Sequence, residues 1–268
     1  MNPHAKRWAT GVIAVPILFF IIAYGSETIF ALLIIIVTLV GVMEYNRMVF
    51  GTALLREKVE TLTVALLILI AAITGDRVLL VAILSFTVMT SLMLNLLRIK
   101  KEGLDMIRVG KVILGVVYVP LLMSHFILVR QEPAGIRWIF FILVLAFSGD
   151  IAAYYVGKKL GRRKLLPEVS PGKTLEGTIG LVIGSIIGCL LFRQLFFPML
   201  PVLHTVILGL VGSVAGQLGD LCESALKRAA GVKDSGTLLP GHGGILDRLD
   251  CLMFVTPFVY YYRVLILQ

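Results

Sequence analysis

The chain has 268 residues, of which 58% are hydrophobic and 15% charged, with a mean hydropathy of +0.97. A soluble domain carries about 25% charged residues, so a water-soluble globular fold is excluded and the chain reads as an integral membrane protein. The formal net charge is +9, and the three cysteines, Cys189, Cys222 and Cys251, show no C-x-x-C spacing, which argues against a zinc site or a disulfide framework and for small apolar fillers.

Nine apolar segments follow in chain order: Trp8 to Tyr24, Thr28 to Val49, Val59 to Thr74, Val78 to Leu97, Val112 to Val129, Ile136 to Gly157, Gly177 to Phe197, Leu203 to Leu226 and Ile245 to Leu267. Most reach the ~20 residues that a hydrocarbon core of ~30 Å demands. The third is short and is separated from the fourth only by Gly75, Asp76 and Arg77, which predicts a tight hairpin. The runs are continuously apolar rather than alternating, so a β-barrel is rejected and the fold expected is an all-α bundle of about nine transmembrane helices. The first segment follows Lys6 and Arg7, but Ala23-Tyr24-Gly25-Ser26 is a poor cleavage site, so it is read as an uncleaved helix. The chain divides into residues 1–111 (segments one to four and a basic loop), 112–176 (segments five and six with a second basic loop) and 177–268 (segments seven to nine).

Of the 25 Lys and Arg residues, Arg77, Arg130, Arg137, Arg193 and Arg263 fall on one side of these crossings and the other 20 on the side of the N-terminus. The positive-inside rule then predicts a cytoplasmic N-terminus. The basic run Lys158 to Lys164 is read as contacting anionic lipid headgroups and fixing topology.

The same topology sets the acids at one depth. Asp150 lies about two turns before the end of segment six, Asp220 a similar distance before the end of segment eight, and Asp247 and Asp250 open segment nine. At ~1.5 Å per residue this level is roughly 10 Å below the cytoplasmic interface. Asp220, Ser224, Lys227 and Arg228 form one helical stripe, and Asp247 and Asp250 stand at i, i+3. Charges so costly near a bilayer imply function. Carboxylates with a hydroxyl and no His or Cys of ligand spacing suit Mg²⁺ rather than zinc. Lys227, Arg228 and Lys233, followed by Pro240-Gly241-His242-Gly243-Gly244 at the start of a helix, add cations, closely approaching backbone amides and a helix N-terminus. Together they describe phosphoryl or nucleotidyl transfer. Gly172-Lys173-Thr174 is not a P-loop, because the required first glycine falls at Pro167 and no strand is expected before it.

Ser224-x-x-Lys227-Arg228, Lys233-Asp234, Pro240-Gly241-His242-Gly243-Gly244, Asp247-Arg248 and Asp250 together resemble the signature of the phosphatidate cytidylyltransferase (CDP-diacylglycerol synthase) family. The resemblance extends to Gly219-Asp220-Leu221 with Glu223, to Ser148-Gly149-Asp150 with Ala152, Ala153, Tyr154 and Gly157, and to Ser170-Pro171 with Lys173-Thr174 and Glu176-Gly177. It implies transfer of the cytidylyl group of CTP to phosphatidic acid, with Mg²⁺ required. A cation is expected on Asp220, Asp247 and Asp250, and catalytic roles on these three with Ser224, Lys227 and Arg228. Substrate contacts are expected from Lys173, Lys233, Asp234, His242, Gly243, Gly244 and Arg248, while Asp150 either walls the site or ligates a second cation. Ser224 is alternatively a plain helix hydroxyl, and His242 a turn residue bonded to backbone. The partners implied are CTP, phosphatidic acid and membrane lipid, with no nucleic acid and with a homodimer left open, in a bacterial inner membrane with the site facing the cytoplasm.

Two other classes compete. An ion-coupled transporter would carry its carboxylates at the midplane within inverted repeats, which are not apparent. Another metal-dependent lipid phosphotransferase, of the CDP-alcohol type, would need a D-G-x-x-A-R motif that the chain lacks.

Overall fold

A computed structural model describes residues 3–52, 54–103, 105–238 and 243–267. Its helices are α1 (Pro3–Tyr24), α2 (Glu27–Phe50), α3 (Leu55–Thr74), α4 (Arg77–Leu96), a short α5 (Ile99–Glu102), α6 (Met106–Val116), α7 (Leu122–Gln131), α8 (Gly135–Leu160), α9 (Leu175–Phe196), α10 (Val202–Ala229) and α11 (Leu246–Tyr262). A π-helical turn, Val117–Leu121, joins α6 to α7, and another, Arg263–Leu267, continues α11. Pro120 lies in the first of these, where a missing N–H and a bulky ring favour a widened turn over a regular one. Among the described residues, seven helices are long and apolar enough to cross a membrane: α2, α4, α6 to α7, α8, α9, α10 and α11 with its π turn. The protein is a helical integral membrane protein. The first turns of α3 hold Arg56, Glu57, Lys58 and Glu60, which set it apart from those seven.

The helices fall into two compact units, residues 1–128 with 234–246, and residues 129–233 with 247–268. In the first, the α3 to α4 connection is the tight hairpin expected. Gly75 adopts φ +70°, and the Asp76 carboxylate accepts from the amides of Val78 and Leu79 at 2.9 and 3.0 Å, capping α4. Tyr45, Ile68, Leu69 and Val119 are fully buried in this unit. The Tyr45 hydroxyl donates to the Lys111 carbonyl at 2.8 Å, and Gly115 is the residue that leaves room for its ring.

In the second unit α8 lies flat against α9. A Cβ built on Gly180 would come 2.7 Å from Val156, and one on Gly184 would meet the Ala152 side chain and come 2.9 Å from the Ser148 carbonyl. Small residues let backbones approach where apolar burial gives no preference over lipid. The buried Ser185 hydroxyl crosses the seam to the Leu145 carbonyl at 2.8 Å.

Between α8 and α9 stands a feature that the all-helical expectation lacks, an antiparallel hairpin of β1 (Lys164–Leu166) and β2 (Ser170–Thr174) with Leu166 opposite Ser170 and Lys164 opposite Thr174. Glu176, in the first turn of α9, accepts from the amides of Arg162 and Arg163, and the Thr174 hydroxyl caps the helix by accepting from Gly177 N at 3.1 Å. The hairpin is thus fastened at its base by side chains rather than by strand propensity.

Candidate active site

The acids expected to share one level all belong to the second unit, and two of them, Asp150 and Asp220, are each preceded by a glycine. Gly149 approaches α9 so closely that a Cβ would collide with the Ser185 hydroxyl and come 3.2 Å from the Leu181 carbonyl; a Cβ on Gly219 would come 2.5 Å from the Asp250 carbonyl of α11. The two Gly-Asp pairs therefore bring helices into backbone contact and set Asp150 and Asp220 at the seams. Asp150 lies within electrostatic reach of Asp220, Lys173 and Arg248.

Lysines hold the aspartates. Lys173, at the end of the hairpin, lies 2.5 Å from Asp220 Oδ2. Lys227 lies 2.6 Å from Asp247 Oδ1 and 3.1 Å from Glu223 Oε2, with Glu223 fully buried and Asp247 nearly so. The helical stripe places Lys227 beside Asp220, yet its long side chain crosses to α11, and Asp220 takes its counter-charge from the hairpin. Ser224 Oγ stands 3.4 Å from Asp220 Oδ1. Asp250 Oδ1 accepts from Cys251 N at 2.7 Å, with Glu223 as a hydrogen-bonding neighbour.

A cleft of about 310 Å³ opens beside this cluster, lined among others by Asp150, Tyr154, Lys158, Lys173, Gln217 and Asp220. Lys158, grouped by sequence with the lipid-facing run, thus borders the cleft, over the Tyr154 ring at 5.7 Å. Arg228 is exposed and donates to the carbonyls of Val169 and Val232 at 3.4 and 3.2 Å, tying the hairpin turn to the segment after α10. Lys233 and Arg248 are exposed. Asp234, Gly243 and Gly244 belong to the first unit, and Pro240, Gly241 and His242 lie outside the described residues. Cys189 is buried as expected, whereas Cys222 is exposed; all three cysteines are free.

Two acids were missed from sequence. Glu223 neighbours Ser224 in the signature and is the buried partner of Lys227. Glu44 ends the uncharged run Thr28 to Met43, ahead of Asn46 and Arg47, and receives the amides of Ile245 and Leu246 at 3.0 and 2.9 Å; an acid at the end of such a run was its signal.

The model of the cytidylyltransferase family matches residues 5–266. The chain belongs to that family. Among relatives, a phosphatidate cytidylyltransferase of Bacillus subtilis (strain 168) is 46% identical over 154 residues, 57% of this chain and 57% of the relative. Uncharacterized protein YnbB of Escherichia coli (strain K12) is 50% identical over 128 residues, 48% of this chain and 43% of the relative. The chain thus spans about half the length of these two. A phosphatidate cytidylyltransferase of Staphylococcus epidermidis is 32% identical over 256 residues, 94% of this chain and 95% of the relative.

Whether this family member can hold a hard cation is a matter of donors. Among the described residues no three His, Cys, Asp or Glu side chains converge as a metal-binding group. The donors are nonetheless all oxygen, from Asp220, Asp247, Asp250 and Ser224, which fits Mg²⁺ in kind. The ammonium groups of Lys173 and Lys227 mark where these carboxylates call for positive charge.

Proposed function

We propose that the protein transfers the cytidylyl group of CTP to phosphatidic acid, releasing pyrophosphate and forming CDP-diacylglycerol. The observation that carries this reading is the pairing of Lys173 with Asp220 and of Lys227 with Asp247 beside a cleft, within a chain whose family match runs nearly end to end. In the reaction a phosphatidate oxygen forms a bond to the α-phosphorus of CTP, and the bond from that phosphorus to the bridging oxygen of the β-phosphate breaks. The nucleophile is already an anion, so no covalent enzyme intermediate is needed; the burden is to align two anions and offset their repulsion.

Lys173 binds the triphosphate from the hairpin, and Lys227 neutralises charge on the leaving pyrophosphate from the end of α10. Glu223 and Asp247 hold Lys227 in place until substrate competes for it. Arg228, Lys233 and Arg248 add positive field at the rim, and Asp150 forms the far wall of the cleft. Asp220, Asp247 and Asp250, with Ser224, are the residues that would hold Mg²⁺, which supplies charge neutralisation of the phosphates when bound. Asp234, His242, Gly243 and Gly244 are assigned to substrate contact on the strength of the signature. Nine crossings with a cytoplasmic N-terminus would put the hairpin and the ends of α8 and α10 at the cytoplasmic face of a bacterial inner membrane, where CTP is present. Purified protein with labelled CTP, phosphatidic acid and Mg²⁺ should yield a labelled lipid and pyrophosphate, lose activity on chelation and regain it on adding Mg²⁺. Absence of product with both substrates present would overturn the assignment.

A further inference from the structure

We infer that Glu44 is a positioning residue of the catalytic centre, a carboxylate that fastens both ends of the signature loop and sets the start of α11. This rests on the function proposed above.

Three donors from the far end of the chain converge on one side chain. Ser235 Oγ donates to Glu44 Oε2 at 3.1 Å, Ile245 N to Oε1 at 3.0 Å and Leu246 N to Oε2 at 2.9 Å. Ser235 and Leu246 are buried, and Glu44 is 8% exposed. The loop that carries Gly243 and Gly244 therefore leaves from and returns to a single carboxylate. Its glycines have a reason in this contact. A Cβ on Gly236 would collide with Glu44 Oε1 and come 2.8 Å from its carboxyl carbon; one on Gly244 would come 2.5 Å from Oε2 and collide with Ser235 Oγ. Gly243, with φ +84°, supplies the left-handed turn that brings the chain back. Gly244 is thus glycine because Glu44 lies against it, a demand separate from any contact its backbone makes with substrate.

The contact has an electrostatic side. The first amides of a helix have no intrahelical acceptor and carry partial positive charge. Ile245 and Leu246 supply amides at the start of α11, and a distant carboxylate takes both. These amides are accordingly spent on Glu44 rather than on substrate phosphate, and the residue that follows Leu246 along the helix is Asp247.

The support of Glu44 is itself fixed. Its neighbour Tyr45 is fully buried and bonded to Lys111 O, and Asn46, 2% exposed, accepts from the Thr61 hydroxyl at 2.9 Å and donates to Lys58 O at 3.3 Å. The three residues Glu44-Tyr45-Asn46 hold α2 against its neighbours, so the carboxylate is a rigid post rather than a mobile cap.

The test uses the full-length protein. Glu44→Gln keeps the shape but offers a donor where an N–H needs an acceptor. It should speed hydrogen–deuterium exchange at the amides of Ile245 and Leu246 and lower kcat about 100-fold, as expected for a small misplacement of catalytic groups. KM for CTP and for phosphatidic acid should change much less, and the thermal midpoint by only a few degrees. Ser235→Ala removes one donor only and should lower kcat about tenfold, the lower end of the range for supporting contacts. If Glu44→Gln fails to fold, the kcat of folded Ser235→Ala decides. Wild-type kcat in the Gln variant, or a loss of activity that merely tracks loss of folded protein, would overturn the inference. If the wild-type protein fails to turn over CTP and phosphatidic acid, the proposed function falls, while exchange at Ile245 and Leu246 still decides whether Glu44 holds the loop.

Discussion

Lys227 at the end of α10 reaches Asp247 in the first turn of α11 at 2.6 Å, and the fully buried Glu223 takes the same ammonium at 3.1 Å. Two carboxyl groups share one ammonium in a poorly solvated place, so a second ionised carboxylate there has no counter-charge within the group. Such a charge is expensive unless a further cation or an anion-bound cation shares the site. Under the function proposed above, substrate and cation would complete the charge balance of this group and of the Lys173 to Asp220 pair.

Replacing Asp247 or Asp220 by Asn keeps the shape and removes the charge. Each change should lower CTP-dependent turnover by about 100-fold or more, the usual scale for a lost electrostatic contact in catalysis. The proteins should still insert and purify. More than about a tenth of wild-type activity in either variant, measured with labelled CTP, would remove that residue from the centre.

Much of this was legible in sequence because continuous apolar runs of bilayer length admit few folds. The second segment, read as Thr28 to Val49, is α2, Glu27–Phe50, and the sixth, read as Ile136 to Gly157, is α8, Gly135–Leu160. The acids on α8, α10 and α11 could be placed at one level from helical rise alone. Partner choice could not. Periodicity sets Lys227 on the stripe of Asp220, but a flexible four-carbon stem reaches the next helix, and only packing decides which carboxylate it finds. The hairpin was hidden because β1 and β2 are short and lack alternation, their closure depending on Glu176 in the following helix. Glu44 showed in the sequence as an acid at the end of an uncharged run, yet nothing local pointed to Ser235, Ile245 and Leu246.

The seam between α8 and α9 gives a prediction about stability. Gly184→Ala would press a methyl group against Ala152 and the Ser148 carbonyl, which are backbone or nearly so and cannot move aside. Overpacking of this kind typically costs about 1–3 kcal/mol. The variant should show a lower thermal midpoint in detergent and reduced turnover, since α8 carries Asp150. An unchanged midpoint would mean that the helices part without loss.

Orientation can be read by labelling. In a background without native cysteines, a cysteine placed within Lys158 to Lys164 should react with an impermeant thiol reagent only from the cytoplasmic side, and one placed after Arg263 only from the other side. Both reacting from one side would reject nine crossings; the reverse pattern would reject the orientation.

Arg228 bonds two carbonyls, Val169 in the hairpin turn and Val232 beyond α10. Lysine cannot reproduce that fork. Arg228→Lys should therefore loosen the hairpin and raise the Michaelis constant for CTP several-fold, in the same direction as loss of Lys173 but to a smaller extent. A Michaelis constant at the wild-type value would show that the hairpin is held without it.

Lys173 is the residue by which the hairpin enters the centre. Its neighbours in the motif are structural: Thr174 caps α9, Glu176 fastens the hairpin base, and Gly177 clears space for the Thr174 hydroxyl. Lys173 alone among them carries a cation to Asp220, at the edge of the cleft. Lys173→Ala removes that charge and leaves the cap and the base intact, so folding should be little affected. A triphosphate carries more charge than a phosphatidate monoester and loses more when one cation is withdrawn. The Michaelis constant for CTP should therefore rise about tenfold or more, a loss of roughly 1.4 kcal/mol or more in binding, while that for phosphatidic acid stays nearly unchanged. Initial rates with each substrate varied in turn would separate the two. A defect that appears only as phosphatidic acid is varied would move the hairpin from the nucleotide side of the cleft to the lipid side.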